Sequence, residues 1–218
     1  MDVYEALYTT RAMRRVKRDS IPLDVQKRIL DAAIRAPSGG NAQQWRFLLV
    51  DEADIKAKLG PIYRDCLEKL FVTLYKAQLD AAEAHPDRPE SKQLMKMNRS
   101  ASHLAENFEA YPLLLFGFCR FDPTGGSIFP SIWSAMLAAR AEGVGCSLTS
   151  VMAYRADDVF SILGVPGNEG WQMHCCVTMG YPTGRWGVAP RLPVHGVASR
   201  NQWGADLGFE VNEPLWKG

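Results

Sequence analysis

The sequence predicts a mixed fold of helices and strands, either α+β or α/β, and three observations lead to that class. Runs with helical spacing of apolar residues alternate with short apolar runs of strand length. The chain has 218 residues, of which 47% are hydrophobic and 22% charged, as expected for one large globular domain or one domain with an excursion. No internal repeat or low-complexity segment interrupts this pattern.

The N-terminal part of the chain predicts two helices followed by a strand. Residues 2–9 have the apolar spacing of a short helix, and residues 20–38 predict a longer one that Pro37 ends. The apolar run WRFLLV, residues 45–50, predicts a strand, and Asp51 is a candidate cap for the helix after it.

The middle of the chain predicts helices around a polar break. Residues 61–84 form a long amphipathic stretch, and residues 92–109 are expected to be helical again. Between them, HPDRPES, residues 85–91, contains two prolines, so we expect it to separate two helices.

Two apolar runs in the second half predict buried strands, namely PLLLFGF at residues 112–118 and QMHCCVTMG at residues 172–180. A helix is predicted between them over about residues 131–142. Gly143 and Gly145 are expected to close that helix and lead into a further strand.

Charge and hydropathy exclude several classes of protein. The net charge is +1, so no electrostatic attraction to nucleic acid or to a membrane surface is expected. No stretch approaches the ~20 consecutive apolar residues of a membrane-spanning helix. The segment MDVYEALYTTRAMRR has acidic residues before its basic ones and no apolar core, so we do not expect a secretory signal there.

The cysteines and histidines show no spacing typical of a metal site. The cysteines are odd in number and mostly scattered, so neither a disulfide framework nor a zinc site is expected. We expect reduced, mostly buried thiols in a cytoplasmic protein. The cysteines are Cys66, Cys119, Cys146, Cys175 and Cys176, and the histidines are His85, His103, His174 and His195.

A basic segment, TTRAMRRVKR, follows the first predicted helix. Its Arg11, Arg14 and Arg15 have spacings that a helical turn would bring together. Lys17 and Arg18 follow. Such a charge density is either a solvated basic face or an anion site, and guanidinium geometry suits phosphate.

The connection APSGGNAQQW, residues 36–45, contains more small and amide residues than a turn requires. Ser38 and Asn41 offer a hydroxyl and an amide, while Gly39 and Gly40 would let a ligand approach the backbone. The segment is either a plain turn or a surface against which a polar ligand lies.

Two later segments also present polar groups. GVGCSLTS, residues 143–150, ends a predicted strand with hydroxyls, and GYPTGRWGVAPRLP, residues 180–193, contains Arg185 and Arg191. An ordinary strand end and a solvated loop are the alternatives. The chain lacks a GxGxxG opening a strand–helix unit, a GxxxxGK[ST] phosphate loop and a GxSxG serine elbow.

Taken in order, these four segments resemble the FMN-dependent nitroreductase family over about residues 4–193. The run AAIRAPSGGNAQQWRFLLV is the most specific part. The resemblance implies an α+β sandwich with a central, mostly antiparallel sheet flanked by helices. It also implies an intertwined homodimer whose FMN sites lie at the subunit interface, each built by both chains.

The resemblance assigns FMN contacts to residues near both ends of the chain. Arg11 and Arg14 match basic residues at the flavin phosphate and ribityl chain. Ala12 stands where the family usually has serine, so only its backbone is available. Arg191 matches a late basic residue at the phosphate, and Arg185 is the alternative for that role.

Two internal segments complete the expected FMN site. One is the strand end that lies beside the flavin ring in family members, where a hydrogen-bond donor would reach N5. The residues that match it are Leu148, Thr149 and Ser150. The other is a loop that, in family members, usually contacts the flavin of the partner subunit. In this chain Gln44 precedes the tryptophan, where the family commonly has proline. The matching loop residues are Ser38, Gly39 and Asn41.

Substrate contacts are expected from residues 61–99, which would form a lid over the flavin. The candidates are Tyr63, Glu68, Phe71 and Tyr75. Phe71 and Tyr75 are four residues apart and are alternatively simple core contacts. The iodotyrosine deiodinase branch uses an acid, a tyrosine and a lysine in this region, and Glu68, Tyr75 and Lys92 are weakly similar to that set.

The resemblance implies an FMN-dependent oxidoreductase that uses NAD(P)H to reduce nitroaromatic or quinone-like small molecules. Hydride would pass through flavin N5 with ping-pong kinetics, so no side chain is expected to act as a general base. The alternatives are a flavin-binding store or redox sensor without turnover, and the deiodinase-like or flavin-cleaving branches of the same family.

We expect residues 1–193 to form a single FMN-binding domain. Residues 194–218 would be a C-terminal extension that packs on the partner subunit, because Trp203, Phe209 and Trp216 lie in a segment with little periodicity. Packing on its own domain is the alternative. Neither nucleic acid, nor a membrane, nor a metal ion is expected as a partner.

Overall fold

A computed structural model of the chain describes residues 1–216, which fall into two units. The larger unit comprises Ala12–Gly184, and the smaller joins Met1–Arg11 to the residues from Arg185 onward. The smaller unit contains helix α1 (Val3–Thr9), which confirms the helix predicted over residues 2–9. The Asp2 carboxylate accepts a hydrogen bond from the Glu5 N–H at 2.7 Å and caps that helix.

The larger unit is built on a four-stranded sheet in the order β1-β2-β4-β3. Every neighbouring pair of strands is antiparallel, so the fold is α+β rather than α/β. The strands are β1 (Trp45–Val50), β2 (Leu113–Cys119), β3 (Gly145–Thr149) and β4 (Gln172–Gly180). The predicted strands at residues 45–50, 112–118 and 172–180 are thereby confirmed.

Helices cover both faces of this sheet. On one face, α2 (Leu23–Ala33) packs against α6 (Ile128–Ala141), and the buried Ser131 hydroxyl donates a hydrogen bond to the Ala33 carbonyl at 2.7 Å. The central strand β2 is buried along its whole length, as expected for a strand enclosed between two layers.

The other face carries the helices that surround the candidate site. They are α3 (Ala53–Leu70), α4 (Lys76–Ala84), α5 (Pro89–Glu106) and α7 (Ala156–Leu163). A π-helical turn, Phe71–Tyr75, joins α3 and α4 into one long segment. The buried residues of α3, α5 and α7 form one hydrophobic cluster with that face of the sheet, and α4 packs against α5.

Three helix starts differ from the predictions. Helices α5 and α6 each begin three residues before the predicted start, because Pro89 and Pro130 lie in their first turns, where proline is tolerated. Asp51 does not cap α3, which begins after Glu52. Its charge acts instead on the buried amine of Lys56, where it opposes the lowering of the lysine pKa by burial.

All five cysteines are free and buried, as predicted. Burial raises the pKa of the Cys146 and Cys175 thiols to about 12, and raises that of Cys176 well above its ordinary value. Among residues 1–216, no helix combines the length and apolar character that a membrane span requires.

Candidate functional site

A cavity of about 140 Å³ lies where the carboxyl end of β3 meets α3, α5 and the π turn. Residues that the sequence analysis singled out in three separate segments converge on it. They are Arg14, Tyr63, Phe71, Tyr75, Leu148 and Thr149. The remaining walls are formed by Leu67, Leu70, Met97, Ala101, Leu104, Ser147 and Val151.

The segment that carries Arg14 is extended and lies along the end of the sheet. The Met13 N–H donates to the Cys146 carbonyl on β3 at 2.9 Å, and the Lys17 N–H donates to the Tyr181 carbonyl beyond β4 at 2.8 Å. Arg14 lies between these two anchors, so its backbone is fixed relative to the cavity.

Arg14 is also held from the side of the helices. The Tyr111 hydroxyl donates to the Arg14 carbonyl at 2.5 Å, and burial raises the pKa of that phenol to about 12. The phenol therefore remains a donor at neutral pH. At the other end of the residue, Arg14 Nη1 donates to Ser100 Oγ on α5 at 3.3 Å, which directs the guanidinium toward the cavity wall.

Tyr63 is fixed at the inner end of the cavity. Only 3% of its surface is exposed, and its ring stacks on Phe108 with centroids 4.5 Å apart. Burial raises the pKa of its phenol, while a hydrogen bond with the Thr149 side chain and the charge of Arg14 act in the opposite direction. The side chains of Tyr63, Thr149 and Arg14 thus form a polar cluster at one end of a mostly apolar cavity.

Ser147 is a lining residue that the sequence analysis did not single out. Its side chain is fully buried, and Ser147 Oγ has no hydrogen-bond partner among residues 1–216. A buried hydroxyl without a partner is costly, so a group on a ligand is the expected partner. Alternation along β3 was the available signal, because Ser147 and Thr149 lie on the same face of the strand.

The outer wall of the cavity is aromatic. Phe71 and Tyr75 lie at the two ends of the π turn, half-buried, with ring centroids 5.6 Å apart. They contact each other, as their spacing predicted, and they also line the cavity. Single π turns within long helices occur frequently at functional sites.

Two other predicted residues do not line the cavity. Glu68 is exposed on α3, and Ser150 is exposed just after β3. Lys92 is exposed as well, so Tyr75 is the one member of the deiodinase-like set that reaches the cavity.

The loop with Ser38, Gly39 and Asn41 is in the larger unit but does not line this cavity. The Gly39 N–H donates to Ser127 Oγ at 3.2 Å, and Ser38 Oγ accepts the Gln43 N–H at 3.2 Å. Asn41 and Gln43 both have positive φ, near 50°, which is uncommon outside glycine and can indicate a functional constraint. The loop is thus an exposed, tightly turned surface.

The remaining predicted arginines belong to the smaller unit. There, Arg11 Nη2 donates to the Arg185 carbonyl at 3.0 Å, and Arg191 lines a hollow with Leu7, Leu192 and other apolar residues. Ala12 begins the larger unit and forms a parallel bridge with Cys146, so its backbone lies beside β3.

Comparison with known proteins identifies the fold and the family. A sequence model of the nitroreductase family matches residues 7–181, a span that includes the basic segment, the Ser38–Asn41 loop and all four strands. The chain belongs to the nitroreductase family. This nitroreductase-family chain is 26% identical to an NADH dehydrogenase of Thermus thermophilus over 209 residues, covering 90% of this chain and 95% of that protein.

Solved structures share the nitroreductase fold at low identity. One is an oxidised iodotyrosine deiodinase bound to FMN and 3-iodo-L-tyrosine, with a TM-score of 0.69, 20% identity, and coverage of 87% of this chain and 95% of that one. Another is the FMN-dependent nitroreductase NfnB from Mycobacterium smegmatis in complex with NADPH, with a TM-score of 0.66, 19% identity, and coverage of 91% and 97%.

Proposed function

We propose that this protein is an FMN-dependent oxidoreductase that acts as a homodimer and uses NAD(P)H to reduce nitroaromatic or quinone-like small molecules. The observation that carries the proposal is the cavity, where Arg14, Tyr63 and Thr149 converge with the hydroxyl of Ser147, which has no hydrogen-bond partner within residues 1–216. Family membership supports the choice of flavin as the ligand.

The chemistry of the cavity lining suits part of an isoalloxazine ring; the whole ring is larger than the cavity of about 140 Å³ and would extend out of it. Such a ring is flat and aromatic, with carbonyl and amide groups along one edge. Phe71, Tyr75 and Leu148 offer apolar and aromatic contacts, while Arg14 and Ser147 Oγ offer donors for the polar edge. The donor set therefore suits the cofactor that the family implies.

The chain's own residues would bind and orient this cofactor. Arg14 would stabilise negative charge on the ring, and the strand end of Leu148, Thr149 and Ser150 is proposed to supply the donor to N5, with Thr149 favoured because Ser150 does not line the cavity. Arg11 with Arg191, or Arg185 in its place, is proposed to bind the phosphate, with Ala12 contributing only its backbone. A bound FMN would supply the hydride-transfer chemistry through its N5, with NAD(P)H as the donor and ping-pong kinetics expected.

The other assignments follow from the same proposal. We propose that the loop of Ser38, Gly39 and Asn41 contacts the partner subunit's flavin, and that residues 61–99 form the lid, with Tyr63, Phe71 and Tyr75 contacting the acceptor. We propose residues 1–193 as the FMN-binding domain and residues 194–218 as an extension on the partner. The buried, free thiols support a cytoplasmic location.

The test is to load the purified protein with FMN, titrate it anaerobically with NADPH and NADH, and then add a nitroaromatic or a quinone. We expect a flavin spectrum, bleaching by a reduced nicotinamide, and steady consumption of that nicotinamide once acceptor is present. Bleaching without turnover would indicate a sensor or store, and a protein that does not bind FMN would overturn the proposal.

A matched pair of variants localises the flavin. Arg14→Gln removes a charge-assisted donor and should weaken FMN binding by about 10- to 100-fold, measured by quenching of flavin fluorescence. Arg35→Gln removes the same charge from an exposed position just after α2, where Arg35 pairs with Asp31, and should leave the affinity unchanged. Equal affinities in the two variants would place the flavin away from the cavity.

A further inference from the structure

A second hollow lies beside the cavity, on the other side of Arg14. It has a volume of about 280 Å³, and its basic walls are Arg14, Arg15 and Arg18 from the extended segment and His103 from α5. Asn107 and Thr183 complete its polar lining. No carboxylate side chain is among the residues that line it.

The three guanidinium groups lack acidic partners. Within residues 1–216, none of Arg14, Arg15 and Arg18 forms an ion pair, although arginines elsewhere in the chain pair with carboxylates. Those paired arginines are Arg28, Arg35, Arg64 and Arg155. Because the whole chain has a net charge of only +1, the hollow is a local excess of positive charge. Its repulsion would be relieved by a bound anion.

Hydrogen bonds anchor the backbone of two of these arginines, Arg14 and Arg15. The Thr183 N–H donates to the Arg15 carbonyl at 3.0 Å, and Tyr111 fixes the Arg14 carbonyl. On the opposite wall, Asn107 Nδ2 donates to the His103 carbonyl at 2.9 Å. Guanidinium groups on a fixed backbone lose less entropy when they bind a multidentate anion such as phosphate.

The hollow and the cavity share two structural elements. Arg14 lines both, and α5 contributes Ala101 and Leu104 to the cavity and His103 to the hollow, where Asn107 follows just after the helix. The two sites are therefore neighbours along α5, with Arg14 shared between them. Arg15 and Arg18 are also outside the positions at which the family resemblance predicts contacts to flavin.

We infer that this hollow binds the phosphomonoester that distinguishes NADPH from NADH, so that the enzyme prefers NADPH. The inference rests on the proposed function, since it concerns the co-substrate of that reaction. Phosphate in its dianionic form has acceptor oxygens only, which match the donor-only guanidinium groups of Arg15 and Arg18.

The test measures binding to the FMN-loaded protein by calorimetry at low salt, with two nucleotides that differ in one phosphate. Adenosine 2′,5′-bisphosphate should bind at least about 10-fold more tightly than adenosine 5′-monophosphate, because its extra phosphate gains charge-assisted hydrogen bonds from the arginines. The double variant Arg15→Gln/Arg18→Gln should lose this preference. Lys27→Gln/Lys58→Gln removes two exposed charges elsewhere and should keep it.

Each outcome of this test is decisive for the hollow. Loss of the preference in the arginine variant alone, with its FMN affinity unchanged, supports the inference. Equal affinities of the two nucleotides for the unaltered protein overturn it, as does competition by inorganic phosphate without any preference between the nucleotides. If the arginine variant instead loses FMN, the hollow binds the flavin phosphate, and the inference is wrong while the proposed flavin function stands.

Discussion

Ser147 is the residue whose environment is hardest to explain from the protein alone. Its hydroxyl is fully buried on the inner face of β3, and within residues 1–216 it has no hydrogen-bond partner. Leaving such a group unsatisfied costs about 1–3 kcal/mol. Such a cost is tolerated when the hydroxyl gains a hydrogen-bond partner in the ligand-bound protein. The proposed flavin would be that partner.

Ser147→Ala should therefore have opposite effects on stability and on ligand binding. The free energy of unfolding of the ligand-free protein should rise by about 1 kcal/mol, since an unpaired hydroxyl is removed, while FMN binding should weaken by about 2- to 10-fold. Chemical denaturation and fluorescence titration measure the two effects.

Ser131→Ala is the matched control for this substitution. Ser131 is equally buried, but its hydroxyl donates to the Ala33 carbonyl, so its removal should lower the free energy of unfolding without affecting FMN. If both variants lose similar stability, Ser147 has a partner within the protein and the argument from its hydroxyl is wrong.

The sequence predicts many of the residues at the cavity, for a physical reason. Arg14 and Thr149 belong to segments with clustered basic or hydroxyl side chains, and the family resemblance assigned roles to them and to Tyr63. Ser147 was missed because only the alternation along β3 pointed to it. Its importance depends on which face of β3 meets a cavity, and packing decides that.

At the scale of elements, two glycines determine how closely the Arg14 segment approaches the sheet. Gly145 on β3 and Gly180 on β4 are paired across the strands. A Cβ on Gly145 would lie 2.8 Å from Met13 Cβ, and one on Gly180 would lie 2.8 Å from Val16 Cγ2. The missing side chains allow the extended segment to pack directly against the strand ends, on both sides of Arg14.

Gly180→Ala should push this segment away from the sheet. Overpacking against Val16 and Pro112 is expected to lower the free energy of unfolding by about 1–3 kcal/mol and to weaken FMN binding, because Arg14 moves with the segment. Gly184→Ala has open space around its new methyl group and should change neither quantity. Denaturation and flavin titration of the two variants separate a local displacement from a general effect of adding a methyl group.

The packing of α2 against α6 includes an ion pair that should respond to acid. Arg28 binds Glu142, just after α6, through two hydrogen bonds of 2.8 Å, and this contact holds the pKa of Glu142 below its usual range. When folding lowers the pKa of a carboxylate, its ionised form stabilises the folded state at every pH above the ordinary pKa, about 4.3. This stabilisation is lost as the pH falls through the lowered pKa.

Glu142→Gln should accordingly be less stable than the unaltered protein at pH 7, with a difference that shrinks below about pH 4. Thermal unfolding measured from pH 3 to pH 8 gives this dependence. A stability difference that stays constant down to pH 3 would show that the charge of Glu142 is not responsible.

The π turn at Phe71–Tyr75 was not predicted, although the amphipathic stretch around it was. Apolar periodicity reports 3.6 residues per turn averaged over a segment, and one wider turn changes that average very little. The helix starts at α5 and α6 were misplaced for a related reason. Periodicity begins where a face is buried, whereas each of these helices begins about one turn earlier and has a proline in its first turn.

At the scale of the whole molecule, the smaller unit exposes large apolar groups. In the proposed dimer, the partner subunit would cover them. The Trp203 side chain is fully exposed, and the apolar hollow lined by Leu7, Val188 and Phe209 has a volume of about 830 Å³. Exposed aromatic groups of this size are typical of surfaces that bind other proteins.

Trp203→Ser should weaken dimerisation by at least about 10-fold if the C-terminal extension packs on the partner subunit. Leu23→Ser replaces a comparably exposed apolar residue at the start of α2 and should have no effect. Analytical ultracentrifugation over a dilution series measures both. A dimer of unchanged strength in Trp203→Ser would indicate that the extension does not contact the partner through this residue.

The burial of all five thiols has a chemical consequence under the proposed function. Quinone substrates and partly reduced nitroaromatic products are electrophiles that react with accessible thiolates, and the enzyme that handles them would be the first protein they meet. Here burial both shields the sulfur atoms and raises the pKa of the thiols, which leaves almost no thiolate to attack at neutral pH. The same interior packing that holds the sheet together would thus protect the enzyme from inactivation by its own products.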